Sequence, residues 1–137
     1  MQNDYSRIIQ ERADRVFEVM ARRVSAADMQ RIHAAFGLAR EAHAPQKRKT
    51  GEPYILHPIA VANIAAEELM LGANPVIACF LHDVVEDTFY TIENIRERFG
   101  DDVAFLVRVV TKKPTHEYEL SKQLDNYRQL LYSMQYD

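Results

Sequence analysis

The spacing of prolines, glycines and capping side chains cuts this chain into helices, and that punctuation constrains the fold more than any other feature. A first helix is expected from about Asp4 to Arg22, where Ile8, Ile9, Val16, Phe17, Val19 and Met20 roughly hold helical spacing. Ser25 reads as the N-cap of a second helix to about His43. Asp28 suits its first turn, because the amide end of a helix carries partial positive charge. A loop rich in proline, glycine and cations follows, from Ala44 to Leu56. Pro58 fits the first position of a third helix, where a missing N–H is no loss, and Gly72 offers that helix a left-handed cap. Asn74-Pro75 opens a fourth helix to about Asp87, and Thr91 caps a short fifth helix that Gly100 stops after Phe99. Asp101 and Asp102 start a sixth helix to about Lys112, Pro114 breaks it, and a last helix is expected from about Glu117. No segment reads well as a strand. The expected class is all-α, a bundle of six to seven helices with short connections.

Composition narrows the chemistry. At 137 residues the chain fits one domain, and no repeat, low-complexity tract or linker divides it. The longest apolar run, Val76 to Leu81, is far short of the ~20 residues that span a bilayer, and no secretory leader is expected. A single cysteine, Cys79, excludes an internal disulfide and a cysteine-based zinc cluster, and a reducing, cytoplasmic setting is expected. The four glycines, Gly37, Gly51, Gly72 and Gly100, lie too far apart for a phosphate-cradling loop, a dinucleotide fingerprint or a nucleophile elbow. Ser6, Ser25, Ser121 and Ser133 carry no triad-like signature. Phosphate chemistry here would need side chains and a metal. A net charge of −3 without a basic stripe argues against nucleic acid as a partner.

The charge is concentrated. Residues 82–102 carry two Lys/Arg against seven Asp/Glu, while the stretches on either side each balance to +1. Such a run is either a solvated acidic face or a cation site. It opens with Leu81-His82-Asp83-Val84-Val85-Glu86-Asp87-Thr88. At about 100° per residue, with His82 at zero, Glu86 falls at about 40°, Asp83 at about 100° and Asp87 at about 140°. Ile77, Ala78, Leu81, Val84 and Val85 occupy the opposite face. Carboxylates spaced i, i+3 and i, i+4 repel, and at a helix C-terminus they also oppose the macrodipole; a cation among them offsets both. Neutral imidazole beside carboxylate suits Mn²⁺, Fe²⁺ or Zn²⁺. His57, just ahead of Pro58, is the best third ligand, whereas His33, His43 and His116 read as structural or surface residues. The turn Lys47-Arg48-Lys49-Thr50-Gly51-Glu52 sets three cations and a hydroxyl just ahead of His57, a group able to grip phosphate or stack on a base.

The segments Gln46 to Pro58 and Leu81 to Thr88, with Phe99-Gly100 and Val110-Thr111-Lys112, resemble the hydrolase half of the RelA/SpoT-homologue alarmone enzymes, which are metal-dependent HD phosphohydrolases. The resemblance covers about residues 25–137. It implies an HD-type bundle occupying 1–137 as one domain, with 1–24 as an N-terminal helix. It further implies His57, His82 and Asp83 as ligands of one Mn²⁺, Glu86 and Asp87 as the pair that orients and activates water, and Arg48, Lys49 and Thr50 as the loop receiving a guanine nucleotide. The implied reaction removes the 3′-pyrophosphate of (p)ppGpp, giving GDP or GTP and pyrophosphate, within a bifunctional stringent-response pyrophosphokinase and pyrophosphohydrolase. Which of Glu86 and Asp87 is the base stays open. The family's fourth ligand, the Asp of an Asp-Arg-Leu-His-Asn run, has no counterpart here. The C-terminal part of the domain is therefore expected to be missing, with weakened metal binding and an apolar face open to self-association. The alternatives are a catalytically incomplete guanine-nucleotide-binding module and an HD phosphohydrolase for another nucleotide phosphate ester.

Overall fold

The computed structural model describes residues 5–110 as six α-helices in order. They are α1 (Tyr5–Ala21), α2 (Ala26–His43), α3 (Leu56–Asn63), α4 (Ala73–Asp87), α5 (Ile92–Phe99) and α6 (Asp101–Val110). Among the described residues the only β-type pairing is an isolated bridge between Lys47 and Pro53, so the all-α class stands. None of the described helices is long and apolar enough to cross a membrane. The helix expected from Glu117, and His116 before it, lie outside the described residues.

The caps behave as their side chains dictate. Ser25 Oγ accepts from the amide of Asp28 at 3.1 Å, closing the first turn of α2. Thr91 and Asn94 satisfy each other's amides in a reciprocal capping box at the start of α5. Gly100 ends α5 with φ 97, a backbone that a side chain would strain.

The third helix departs from expectation. It begins at Leu56, so Pro58 is its third residue, still within the first turn where amides lack intrahelical acceptors. After Asn63 the chain widens into one π-helical turn, Ile64–Glu68. The left-handed residue is Met70 (φ 54), whereas Gly72 is extended and serves as the N-cap of α4. Bonds from a distant arginine and a local amide hold this turn. Arg23, just past α1, donates to the carbonyls of Ala66 at 2.6 Å and Leu71 at 3.0 Å, and the Leu71 amide closes on Ala65 at 2.9 Å. These bonds hold the turn in place ahead of the glycine.

Helix α4 lies at the centre, packed on α2, α3 and α6, with α1 laid across α2 and α3 and α5 against α6. Every residue from Val76 to Val84 is buried, so the helix is enclosed on all sides along this stretch. The rings of Phe17, Phe36 and Phe80 follow one another at 5.6 and 5.8 Å and link α1, α2 and α4. The bundle thus anchors the very segment that carries His82 and Asp83.

Arg23→Ala is expected to lower stability by about 1 to 2 kcal/mol, because two carbonyls lose a charged donor. Arg15→Ala, at the exposed Arg15–Glu67 ion pair, is expected to leave the urea midpoint near that of the parent chain. Equal midpoints for Arg23→Ala and the parent would show that these contacts do not stabilise the turn.

Candidate metal centre and basic loop

Three segments converge on one carboxylate. The loop between α2 and α3 folds back on itself, with the Tyr54 amide donating to the Gln46 carbonyl at 3.1 Å and the Arg48 amide to the Glu52 carbonyl at 2.8 Å. Gly51, at φ 90, supplies the left-handed residue of its turn. Arg48, Lys49 and Thr50 stand exposed at the tip. The loop then enters α3, which carries His57.

His57 Nε2 lies 3.5 Å and His82 Nε2 3.2 Å from the same oxygen, Asp83 Oδ2. The Tyr54 hydroxyl donates to that oxygen as well, at 2.8 Å. His82 Nδ1 faces the Cys79 carbonyl at 2.7 Å, which requires the proton on Nδ1 and turns Nε2 towards the carboxylate. One ligand atom from each of His57, His82 and Asp83 falls within 4.8 Å of the others. His82 and Asp83 are buried and His57 nearly so. Two imidazoles and a carboxylate without thiolate form a donor set suited to a divalent first-row ion. The Cys79 carbonyl and the Tyr54 hydroxyl are the kind of outer partners that fix ligand orientation. The residues therefore fit a metal.

The electrostatics follow from burial and close charge. Burial works against a charged His82, but the hydrogen bond and negative charge of Asp83 outweigh it and raise the imidazole above its ordinary value. Burial also works against the Asp83 carboxylate, yet His82, then Tyr54 and His57, hold it down at about 2. Burial keeps His57 below the usual imidazole range. The Tyr54 phenol is pushed up by burial and by Asp83, so it stays a donor. The positive charge of Arg48 acts on both His57 and Tyr54, which puts the basic loop within electrostatic reach of the cluster.

Glu86 and Asp87 occupy the last turn of α4, half-buried. The charge of Glu86 acts on His82, and that of Asp87 on His43 and Tyr54. Of the eight residues singled out in the sequence, His57, His82 and Asp83 are thus in one cluster and Glu86 and Asp87 border it. Arg48 faces it through charge, while Lys49 and Thr50 lie at the exposed tip. The face of α4 bearing His82 and Asp83 is covered rather than solvated, because the loop and α3 lie over it. Tyr54 and Gln46 carry no role of their own in the sequence. His43 is buried with its ring 4.9 Å from that of Tyr54, consistent with a structural reading. Tyr54 had one usable signal, its position three residues ahead of His57, which sets the two rings side by side at 5.8 Å.

Residues 35–137 match the family described as HD domain. The guanosine-3′,5′-bis(diphosphate) 3′-pyrophosphohydrolase of Aquifex aeolicus is 50% identical over 100 residues, covering 73% of this chain and 14% of that protein. The bifunctional (p)ppGpp synthase/hydrolase SpoT of Escherichia coli is 40% identical over 111 residues, covering 80% of this chain and 16% of SpoT. The chain thus spans about one-seventh of the length of these curated relatives. A solved structure of a metazoan orthologue of SpoT that hydrolyses ppGpp aligns with a TM-score of 0.59 and 34% identity, over 74% of this chain and 56% of that one. With its ordered motifs, its helical bundle and its buried His-His-Asp cluster, the chain belongs to the HD-domain family, as a member of the RelA/SpoT type.

Proposed function

We propose that this chain is a (p)ppGpp 3′-pyrophosphohydrolase unit, releasing pyrophosphate and GDP or GTP, and the hydrolase part of a bifunctional protein. The observation that carries the reading is the convergence of His57, His82 and Asp83 beneath a loop tipped by Arg48, Lys49 and Thr50. In this reading the two histidines and Asp83 hold Mn²⁺. When bound, such an ion supplies Lewis acidity, making water nucleophilic near neutral pH and offsetting charge on phosphoryl oxygens.

The remaining work falls to side chains. Glu86 and Asp87 orient the attacking water and take its proton, which returns to the departing 3′-oxygen of the ribose as the phosphorus–oxygen bond breaks. Arg48 grips phosphate or stacks on the guanine, its planar guanidinium suiting either task, Lys49 supplies a compact charge to phosphate, and Thr50 adds a hydroxyl. The covered position of His82 and Asp83 keeps bulk water away from these two ligands and so strengthens the charge interactions they make.

His82→Ala is expected to abolish Mn²⁺ binding and ppGpp hydrolysis together. Glu86→Ala/Asp87→Ala is expected to keep the metal and to lose at least about 100-fold in rate, the scale of general-base catalysis. Anion-exchange analysis of products, beside a calorimetric Mn²⁺ titration, reads both. Undiminished product from the double variant would end the proposed role of the two carboxylates.

A second expectation concerns pH in the metal-free chain. Asp83 titrates near 2 when folded and near 3.8 in an unfolded chain, so its stabilisation is fully present above that unfolded value and fades as pH falls towards 2. The amount at stake is on the order of 2 kcal/mol. Urea midpoints of the parent chain and Asp83→Asn should therefore converge as pH falls through this window. A constant gap between them would show that Asp83 is not held low.

A further inference from the structure

The neck of the basic loop grips α4 twice. Gln46 and Tyr54 are joined by the Tyr54 amide to Gln46 carbonyl bond of 3.1 Å, next to the Lys47–Pro53 bridge. Each then reaches the same helix with its side chain. The Tyr54 hydroxyl donates to Asp83 Oδ2 at 2.8 Å, and Gln46 Nε2 donates to the Asp87 carbonyl at 2.9 Å. Asp83 and Asp87 are four residues apart, about one helical turn.

A third residue braces the neck from behind. His43, at the end of α2, is 1% exposed and sets its Nδ1 3.0 Å from Gln46 Oε1. Its ring lies tilted against that of Tyr54, with centroids 4.9 Å apart. The Gln46 amide is therefore fixed at both ends: the Asp87 carbonyl can only accept, so Nε2 faces it, and Oε1 accepts from His43.

Packing alone does not require the phenol. A phenylalanine would fill the same space between His43 and His57, whose rings lie 4.9 and 5.8 Å from that of Tyr54. What the hydroxyl adds is a third partner on the one oxygen that both imidazoles face. It thereby sets which carboxylate oxygen is turned towards His57 and His82. Resting on the metal reading given above, we propose that Tyr54 is a positioning residue that holds Asp83 in its ligating orientation, and that the His43–Gln46 brace keeps Tyr54 in place.

The test measures Mn²⁺ affinity of the full chain by the electron paramagnetic resonance signal of unbound Mn²⁺, with no substrate present. Tyr54→Phe is expected to weaken binding about 10-fold or more, the scale found for outer partners of metal ligands. Gln46→Met, which loosens the neck but keeps the phenol, is expected to give a smaller loss in the same direction. Val16→Ala, a core truncation on α1, controls for stability: it lowers the melting temperature and leaves the Mn²⁺ dissociation constant unchanged. Wild-type affinity in Tyr54→Phe would overturn the inference while leaving the metal reading intact. An equal loss in Val16→Ala would overturn it too, by making affinity a matter of stability. Absence of Mn²⁺ binding in the parent chain would overturn both readings together.

Discussion

An ionised carboxylate sits in the most enclosed helix of the molecule, and the site depends on how that charge is satisfied. Burying a lone carboxylate is prohibitive, so Asp83 demands close partners. It finds them on a single oxygen: Tyr54 from the loop, His57 from α3 and its own neighbour His82. Two of these come from segments far back in the chain. Meeting the needs of one charge therefore fastens the loop and α3 to α4 in a fixed relation. Apolar packing alone would tolerate small sliding of these elements, since hydrophobic contact is forgiving of shape. Three polar contacts to one oxygen are not.

The bundle around this charge is finished by arginines that cap distant helix ends. Arg23 takes the carbonyls of Ala66 and Leu71, and Arg31 reaches from α2 to the Phe99 carbonyl at 2.8 Å, where α5 ends. Short helices leave a large share of their carbonyls without intrahelical partners. Here long cationic side chains from neighbouring helices supply them, and their apolar stems cover the seams. The connections can then stay short, and α4 is enclosed without any helix exceeding 18 residues among those described.

Much of this was legible in the sequence, and the parts that were not share a cause. Caps are local chemistry, so Ser25, Thr91 and Gly100 could be read directly and stand where expected. The His82-Asp83 pair was legible because a histidine and acids on one helical face are unusual in chemistry as well as in pattern. The π-helical turn and the left-handed Met70 were not legible, because the carbonyls around them find a partner in Arg23, more than 40 residues earlier in the chain. Tyr54 and Gln46 were hidden for the same reason. A tyrosine in a loop looks like any half-buried aromatic until the carboxylate 29 residues away is brought to its hydroxyl.

The proposed site divides into a half carried on helices and a half carried on a loop, and this division explains why the neck of the loop matters. His57, His82, Asp83, Glu86 and Asp87 ride on helices, whose backbones fix direction to a fraction of an ångström. Arg48, Lys49 and Thr50 sit on an exposed turn, with no helix of their own to hold them. A cationic tip can attract an anion from any position, because charge acts at a distance, but it can align one only if its base is fixed. Alignment is worth far more to a reaction than attraction, since misplacing reacting groups by about 1 Å can cost on the order of 100-fold in rate. The two hydrogen bonds from Tyr54 and Gln46 to α4 are what tie the tip to the same helix that bears the carboxylates. On the proposed reading, recognition and chemistry thus share one reference frame, and that frame is α4.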